Sequence, residues 1–130
     1  MSGSVTHFEV YGEHPDRLAE FYNRVLGWQI ERMPGVAYWR ANIPADAAQP
    51  LVSGGIAYRA VPGLNGWLMY AQVASVDKAE GLIVELGGAI VRPKAAVPRT
   101  AWVTIVSDPE KNIFGIWEAD PNAFPMPEPD

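Results

Sequence analysis

Residues 15–32 read PDRLAEFYNRVLGWQIER and residues 75–92 read SVDKAEGLIVELGGAIVR, two stretches separated by 60 positions. At that shift Ala19-Glu20 meets Ala79-Glu80, Leu26-Gly27 meets Leu86-Gly87, Ile30 meets Ile90 and Arg32 meets Arg92. Further along, Gly55-Ile56 meets Gly115-Ile116. Any one match is weak, but all of them fall in order within the same local pattern, which reads as an internal duplication.

The pattern around each copy is that of a strand, a helix and more strands. Val5–Tyr11 alternates, with Thr6, Phe8 and Val10 on one face and His7, Glu9 and Tyr11 on the other. Pro15 suits a first helical position, where its missing N–H costs nothing. Leu18, Phe21, Tyr22, Val25 and Leu26 then form one apolar helical stripe, and Gly27 ends it by accepting a left-handed conformation. Strands are expected at Trp28–Arg32, Val36–Ile43 and Val52–Arg59, with a polar loop at Pro44–Pro50. In the second copy Trp67–Ala74 reads as a strand. Asp77 and Glu80 have capping-box-like spacing, and Val76, Ala79, Leu82, Ile83 and Leu86 make the next stripe, closed by Gly87-Gly88. Strands follow at Ala89–Arg92, Ala101–Val106 and Ile113–Glu118. The tail, Ala119–Asp130, is rich in proline and acid and is read as a surface wrap or a disordered end.

Composition narrows the classes of function. The chain has 130 residues, one domain's worth, and a net charge of -5 that argues against binding phosphate backbones. No apolar run of about 18 residues offers a membrane span, and Met1-Ser2-Gly3-Ser4 does not read as a secretory signal. There is no cysteine, so disulfides, thiolate nucleophiles and thiolate-bound zinc are excluded. The expectation is a cytoplasmic protein with no nucleic-acid or membrane partner.

Several segments together resemble the vicinal oxygen chelate superfamily, which includes glyoxalase I, the bleomycin-resistance proteins and the extradiol dioxygenases. They are His7-Phe8-Glu9-Val10, Ala19-Glu20-Phe21-Tyr22 with Val25-Leu26-Gly27-Trp28, Val84-Glu85-Leu86-Gly87-Gly88, and Asp108 to Glu118 (DPEKNIFGIWE). Lys111 departs from the pattern, which usually has glycine in that turn. The resemblance implies an α+β fold of two βαβββ modules forming a curled mixed sheet cup with helices on the convex side. The modules would be residues 5–60 and 66–118 of a single domain with a tail at 119–130. It also implies a homodimer.

Metal-dependent relatives hold a divalent ion with a first-strand histidine and a fourth-strand acid from each module. His7 stands at the first of these positions. Its counterpart in the second module is Leu68, or Trp67 if the register slips by one, and both acidic positions have become glycine, Gly55 and Gly115. One imidazole does not build a chelating site, so the expectation is no metal cofactor. The alternative is a divalent metal ion held by His7 and Glu118; strand alternation turns Glu118 to the opposite face unless a bulge intervenes.

Alternation then assigns a lining to the cup: His7, Glu9 and Tyr11; Gly55 and Arg59; Leu68, Tyr70 and Gln72; Trp102 and Thr104; Gly115 and Trp117. Aromatic walls with a few polar groups are the usual lining of a small-molecule site, and the two glycines are read as opening volume or backbone to a ligand. The same tryptophans serve equally as core or dimer interface. His7 and Glu9 lie about 6.5–7 Å apart along the strand, within side-chain reach, and a carboxylate beside an imidazole can make it a general base. His14, at a helix start, reads as a surface residue. Two functions stand from this reading: metal-free binding of a small aromatic or carbonyl-bearing molecule, or an enzyme of the same fold. The enzyme would be a lyase or isomerase using His7 with Glu9, or a metal-dependent glyoxalase or dioxygenase type using His7 with Glu118.

Overall fold

A computed structural model describes residues 3–43, 53–59, 62, 64 and 66–124. In chain order they form β1 (Val5–Tyr11), α1 (Pro15–Leu26), β2 (Gln29–Arg32), β3 (Tyr38–Asn42) and β4 (Ser53–Ala57). There follow β5 (Gly66–Gln72), α2 (Val76–Glu85), β6 (Ala89–Val97), β7 (Ala101–Ser107) and β8 (Ile113–Ala119). The βαβββ order therefore occurs twice, as the 60-residue repeat implies. The expected loop Pro44–Pro50 and the last six residues of the tail lie outside the described residues. β6 runs on to Val97, past the expected end at Arg92. Register shifts between Ile90 and Arg92 and between Arg92 and Ala95 accommodate Pro93, which has no N–H to give to the ladder.

The chain forms two compact units, Thr6–Met69 and Met1–Val5 with Tyr70–Asp130. In the first, β1 pairs in parallel with β4, β4 antiparallel with β3, and β3 antiparallel with β2. In the second, β5 pairs in parallel with β8, β8 antiparallel with β7, and β7 antiparallel with β6. The hydrogen-bonded strand order is β2-β3-β4-β1 in the first unit and β5-β8-β7-β6 in the second, with open outer edges at β2 and β6. This is an α+β arrangement with an open mixed sheet, and it overturns the expected curled cup with helices on its convex side. Period-2 alternation encodes which residues share a face. Curl depends on twist, bulges and closure, which that alternation does not carry.

Within Thr6–Met69 the core is Phe8, Val10 and Ile56, covered by Leu18, Ala19 and Tyr22 of α1 and by Trp28, Ile30 and Trp39. Full burial of each such aliphatic or aromatic side chain stabilises by about 1.5–3 kcal/mol. The expected helical stripe is only half used, because Phe21, Val25 and Leu26 are 55%, 61% and 51% exposed. In the other unit Val76, Val106 and Ile116 are the core, with Ala79, Ile83, Trp102 and Phe114 against it. Gly27 ends α1 at φ 74°, its N–H donating to the Asn23 carbonyl. The cap of α2 is Ser75, whose Oγ accepts from the Lys78 N–H at 3.1 Å. Asp77 instead pairs with Lys94 at 3.1 Å, so the capping-box reading of Asp77 and Glu80 is corrected. The start of the tail is fastened to the β6–β7 turn. There Arg99 N–H donates to the Ala123 carbonyl at 2.7 Å, and Asp120 N–H donates to the Thr100 carbonyl at 2.9 Å.

Candidate functional site

His7, Glu9 and Tyr11 follow one another on the face of β1 opposite Phe8 and Val10. β1 is in register with β4 (His7 with Ser53, Glu9 with Gly55, Tyr11 with Ala57). β4 is in register with β3, Gly55 beside Arg40 and Ala57 beside Tyr38. Paired residues share a face, so Tyr38 and Arg40 join the β1 trio. The outcome is a connected polar group. The Tyr11 hydroxyl donates to Glu9 Oε1. Glu9 Oε2 lies 3.7 Å from His7 Nε2, with both side chains 15% exposed. His7 Nε2 shares a 3.3 Å hydrogen bond with the Tyr38 hydroxyl, its direction set by the imidazole tautomer. At 3.7 Å the His7–Glu9 contact is an ion-pair distance and too long for a direct hydrogen bond.

Gly54 and Gly55 owe their place in β4 to the rings on either side of it. A Cβ on Gly54 would sit 2.1 Å from Phe8 Cζ, and one on Gly55 would sit 2.1 Å from the Tyr38 hydroxyl oxygen and 2.2 Å from its Cζ. An aromatic ring laid over a strand glycine fills the missing side chain's volume. The second unit repeats the device: Tyr70 is in register with Gly115, and a Cβ there would sit 2.3 Å from Tyr70 Cδ1. The expectation that these glycines open space for a ligand is therefore corrected; tyrosine rings occupy it.

This packing also decides how a chelated ion would fit. A carboxylate at position 55 or 115 would have to displace a ring, and among the described residues no group of three or more His, Asp or Glu is placed to hold a metal. Glu118 has other work. Its Oε1 accepts from the Val76 N–H at 2.8 Å, a carboxylate at the positive end of α2, and it shares the helix-facing side of β8 with Ile116. Glu118, the alternative partner expected for His7, is thereby engaged at the start of α2.

The remaining expected residues fall as follows. Arg59 pairs with Glu13 at 3.3 Å, and Leu68 is fully buried. Tyr70 packs edge-on to Trp117, centroids 6.2 Å apart, and Gln72 is in register with Trp117. Trp102 and Thr104 lie on the other face of their sheet. Trp102 packs with the Val76 core and its Nε1 donates to Asp120 at 3.0 Å. Thr104 donates to Glu80 of α2 at 2.8 Å. In the β7–β8 register it is Val103 and Ile105 that pair with Trp117 and Gly115, so the alternation assigned to β7 was displaced by one residue. His14 is exposed, as expected. Reading the sequence missed Tyr38 and Arg40; the signal available was an aromatic strand position close to an otherwise unexplained strand glycine.

A glyoxalase-like domain family model matches residues 8–117. The chain belongs to the glyoxalase-like domain family. Its fold is that of the vicinal oxygen chelate superfamily. A Mycobacterium bovis protein named "Putative glyoxylase CFP32" is 26% identical over 121 residues, 92% of this chain; the chain spans 46% of that protein's length. A structure reported as an NAD-dependent benzaldehyde dehydrogenase from Legionella pneumophila superposes with a TM-score of 0.62 at 18% identity, covering 88% of this chain and 98% of the other. A variant of Streptomyces coelicolor methylmalonyl-CoA epimerase, in complex with 2-nitronate-propionyl-CoA, superposes with a TM-score of 0.61 at 13% identity, covering 95% and 99%. Structures named for such different chemistry on one glyoxalase-like fold put the weight of any functional argument on the site.

Proposed function

We propose that this chain binds a small aromatic or carbonyl-bearing molecule on the β1–β3 face, at His7, Glu9, Tyr11 and Tyr38, without a chelated ion. The linked Tyr11–Glu9–His7–Tyr38 group carries the reading. Apolar residues of similar volume would fill these largely buried positions at lower desolvation cost. Ionisable groups held together there instead supply donors and acceptors for ligand oxygens, with Arg40 beside Gly55 as a cation on the same face. A thermal-shift screen across 2-oxo acids, aromatic aldehydes and dicarbonyls tests it, since a ligand of the folded state raises the melting temperature. A hit such as phenylpyruvate should lose at least about tenfold in affinity in His7→Ala; unchanged affinity in His7→Ala and Tyr38→Phe would remove this face from the argument.

The 3.7 Å approach of Glu9 to His7 favours a second reading, in which the pair moves a proton on the bound molecule. Its test is exchange of the ligand's C–H for deuterium in D₂O, followed by NMR. Exchange above the uncatalysed rate, lost in His7→Ala with binding retained, supports an enzyme; binding without exchange supports a binding protein.

A further inference from the structure

Arg40 shares the face of His7, Glu9, Tyr11 and Tyr38 without belonging to their linked group. Glu9, Gly55 and Arg40 stand in one row across β1, β4 and β3. Neighbouring strands lie about 4.7–4.9 Å apart, so Glu9 and Arg40 are separated by about 9–10 Å along that row. Between them Gly55 has no side chain, and the Tyr38 ring covers it. Glu9 is engaged by Tyr11 and His7. The row is therefore negative over β1 and positive over β3.

Arg40 is exposed, and among the described residues it forms no ion pair. Its cross-strand neighbour Glu31, also exposed, is in register with it yet not within ion-pair distance. Such an arginine keeps its planar fork of donors, which takes a carboxylate through two parallel hydrogen bonds. The reach is sufficient. A Cβ on Gly55 would sit 2.1 Å from the Tyr38 hydroxyl oxygen; with a C–C bond of about 1.5 Å, that oxygen is within about 3.6 Å of the Gly55 Cα. Paired Cα atoms across an antiparallel ladder are about 4.5–5.5 Å apart, which brings the hydroxyl to within about 9 Å of the Arg40 Cα. The long arginine stem spans most of that, so one small polar group can bridge hydroxyl and guanidinium.

We infer that Arg40 selects an anionic ligand. Its carbonyl oxygen meets Tyr38 and His7, and its adjacent carboxylate is held by the Arg40 guanidinium, away from Glu9. The inference rests on the function proposed above and narrows its ligand to the 2-oxo acids. Calorimetric titration of phenylpyruvate and of its uncharged methyl ester separates the two. The acid should bind about five- to tenfold more tightly than the ester. Arg40→Gln should erase that preference by weakening the acid alone, and Arg40→Lys should restore part of it. Glu31→Gln removes a competing carboxylate and should tighten the acid while leaving the ester unchanged. Both positions are exposed, so these variants fold. His7→Ala should weaken acid and ester alike. An acid bound no better than its ester, a preference that survives Arg40→Gln, or neither probe bound at millimolar concentration overturns the inference. A preference lost in Arg40→Gln beside affinities unchanged in His7→Ala supports the role of Arg40 and overturns the proposed function instead.

Discussion

Gly55→Ala puts a methyl group where the Tyr38 ring now lies. The added Cβ would meet the hydroxyl oxygen at 2.1 Å and Cζ at 2.2 Å, whereas favourable contacts begin at about 3.5 Å. The ring must therefore retreat by roughly 1.3 Å or more. A displacement of that size breaks its 3.3 Å hydrogen bond to His7, a loss of about 1 kcal/mol. Forced repacking costs about 1–3 kcal/mol. Alanine returns about 0.4–1 kcal/mol by restricting the unfolded chain, leaving a net destabilisation of about 1–3 kcal/mol. Urea denaturation of Gly55→Ala, Tyr38→Ala and the double variant measures it. In the Tyr38→Ala background the methyl meets vacated space, so most of the cost should vanish, a coupling of about 1–3 kcal/mol. Additive effects, or a neutral Gly55→Ala in the wild-type background, would refute the account of why glycine stands there.

Other outcomes follow from the same contacts. Lys111 adopts φ 68°. Relief of about 1–2 kcal/mol of left-handed strain, less about 0.4–1 kcal/mol of glycine's unfolded-state freedom, should make Lys111→Gly stabilising by up to about 1.6 kcal/mol; a lowered denaturation midpoint would contradict this. Glu118→Ala removes the acceptor for the Val76 N–H and should cost about 1 kcal/mol, read as earlier melting. The Asn112 side-chain amide, then the backbone N–H groups of Asn112 and Glu110, hold the Asp108 carboxyl below its ordinary value against a smaller opposing effect of desolvation. Its contribution is therefore fully present above the unfolded-state pKa, near about 4, and is lost as pH falls through the lower folded value. The amide shifts of Glu110 and Asn112 should titrate below about pH 4 and move up towards the ordinary range in Asn112→Ala.

Much of this architecture was legible because duplication and periodicity are properties of the chain. The βαβββ order, the Gly27 stop and the β1 face that joins His7, Glu9 and Tyr11 all follow from them. What escaped depends on neighbours distant in sequence. Tyr38 enters the site through the β3–β4 register, which no local pattern states. The glycines at 55 and 115 read as openings because the rings that fill them come from other strands. Trp102 and Thr104 were placed one residue out of phase on β7, a strand whose apolar residues are nearly continuous and so mark neither face. Glu118 sits where a ligand was sought and serves the start of α2, a contact 42 positions away in sequence.

The decisive measurement is a calorimetric isotherm for the tightest ligand from the screen, recorded on protein dialysed against EDTA, wild type beside His7→Ala. An affinity indifferent to the chelator and at least about tenfold weaker in His7→Ala is the predicted result. Binding abolished by EDTA and restored by a divalent ion would contradict the account.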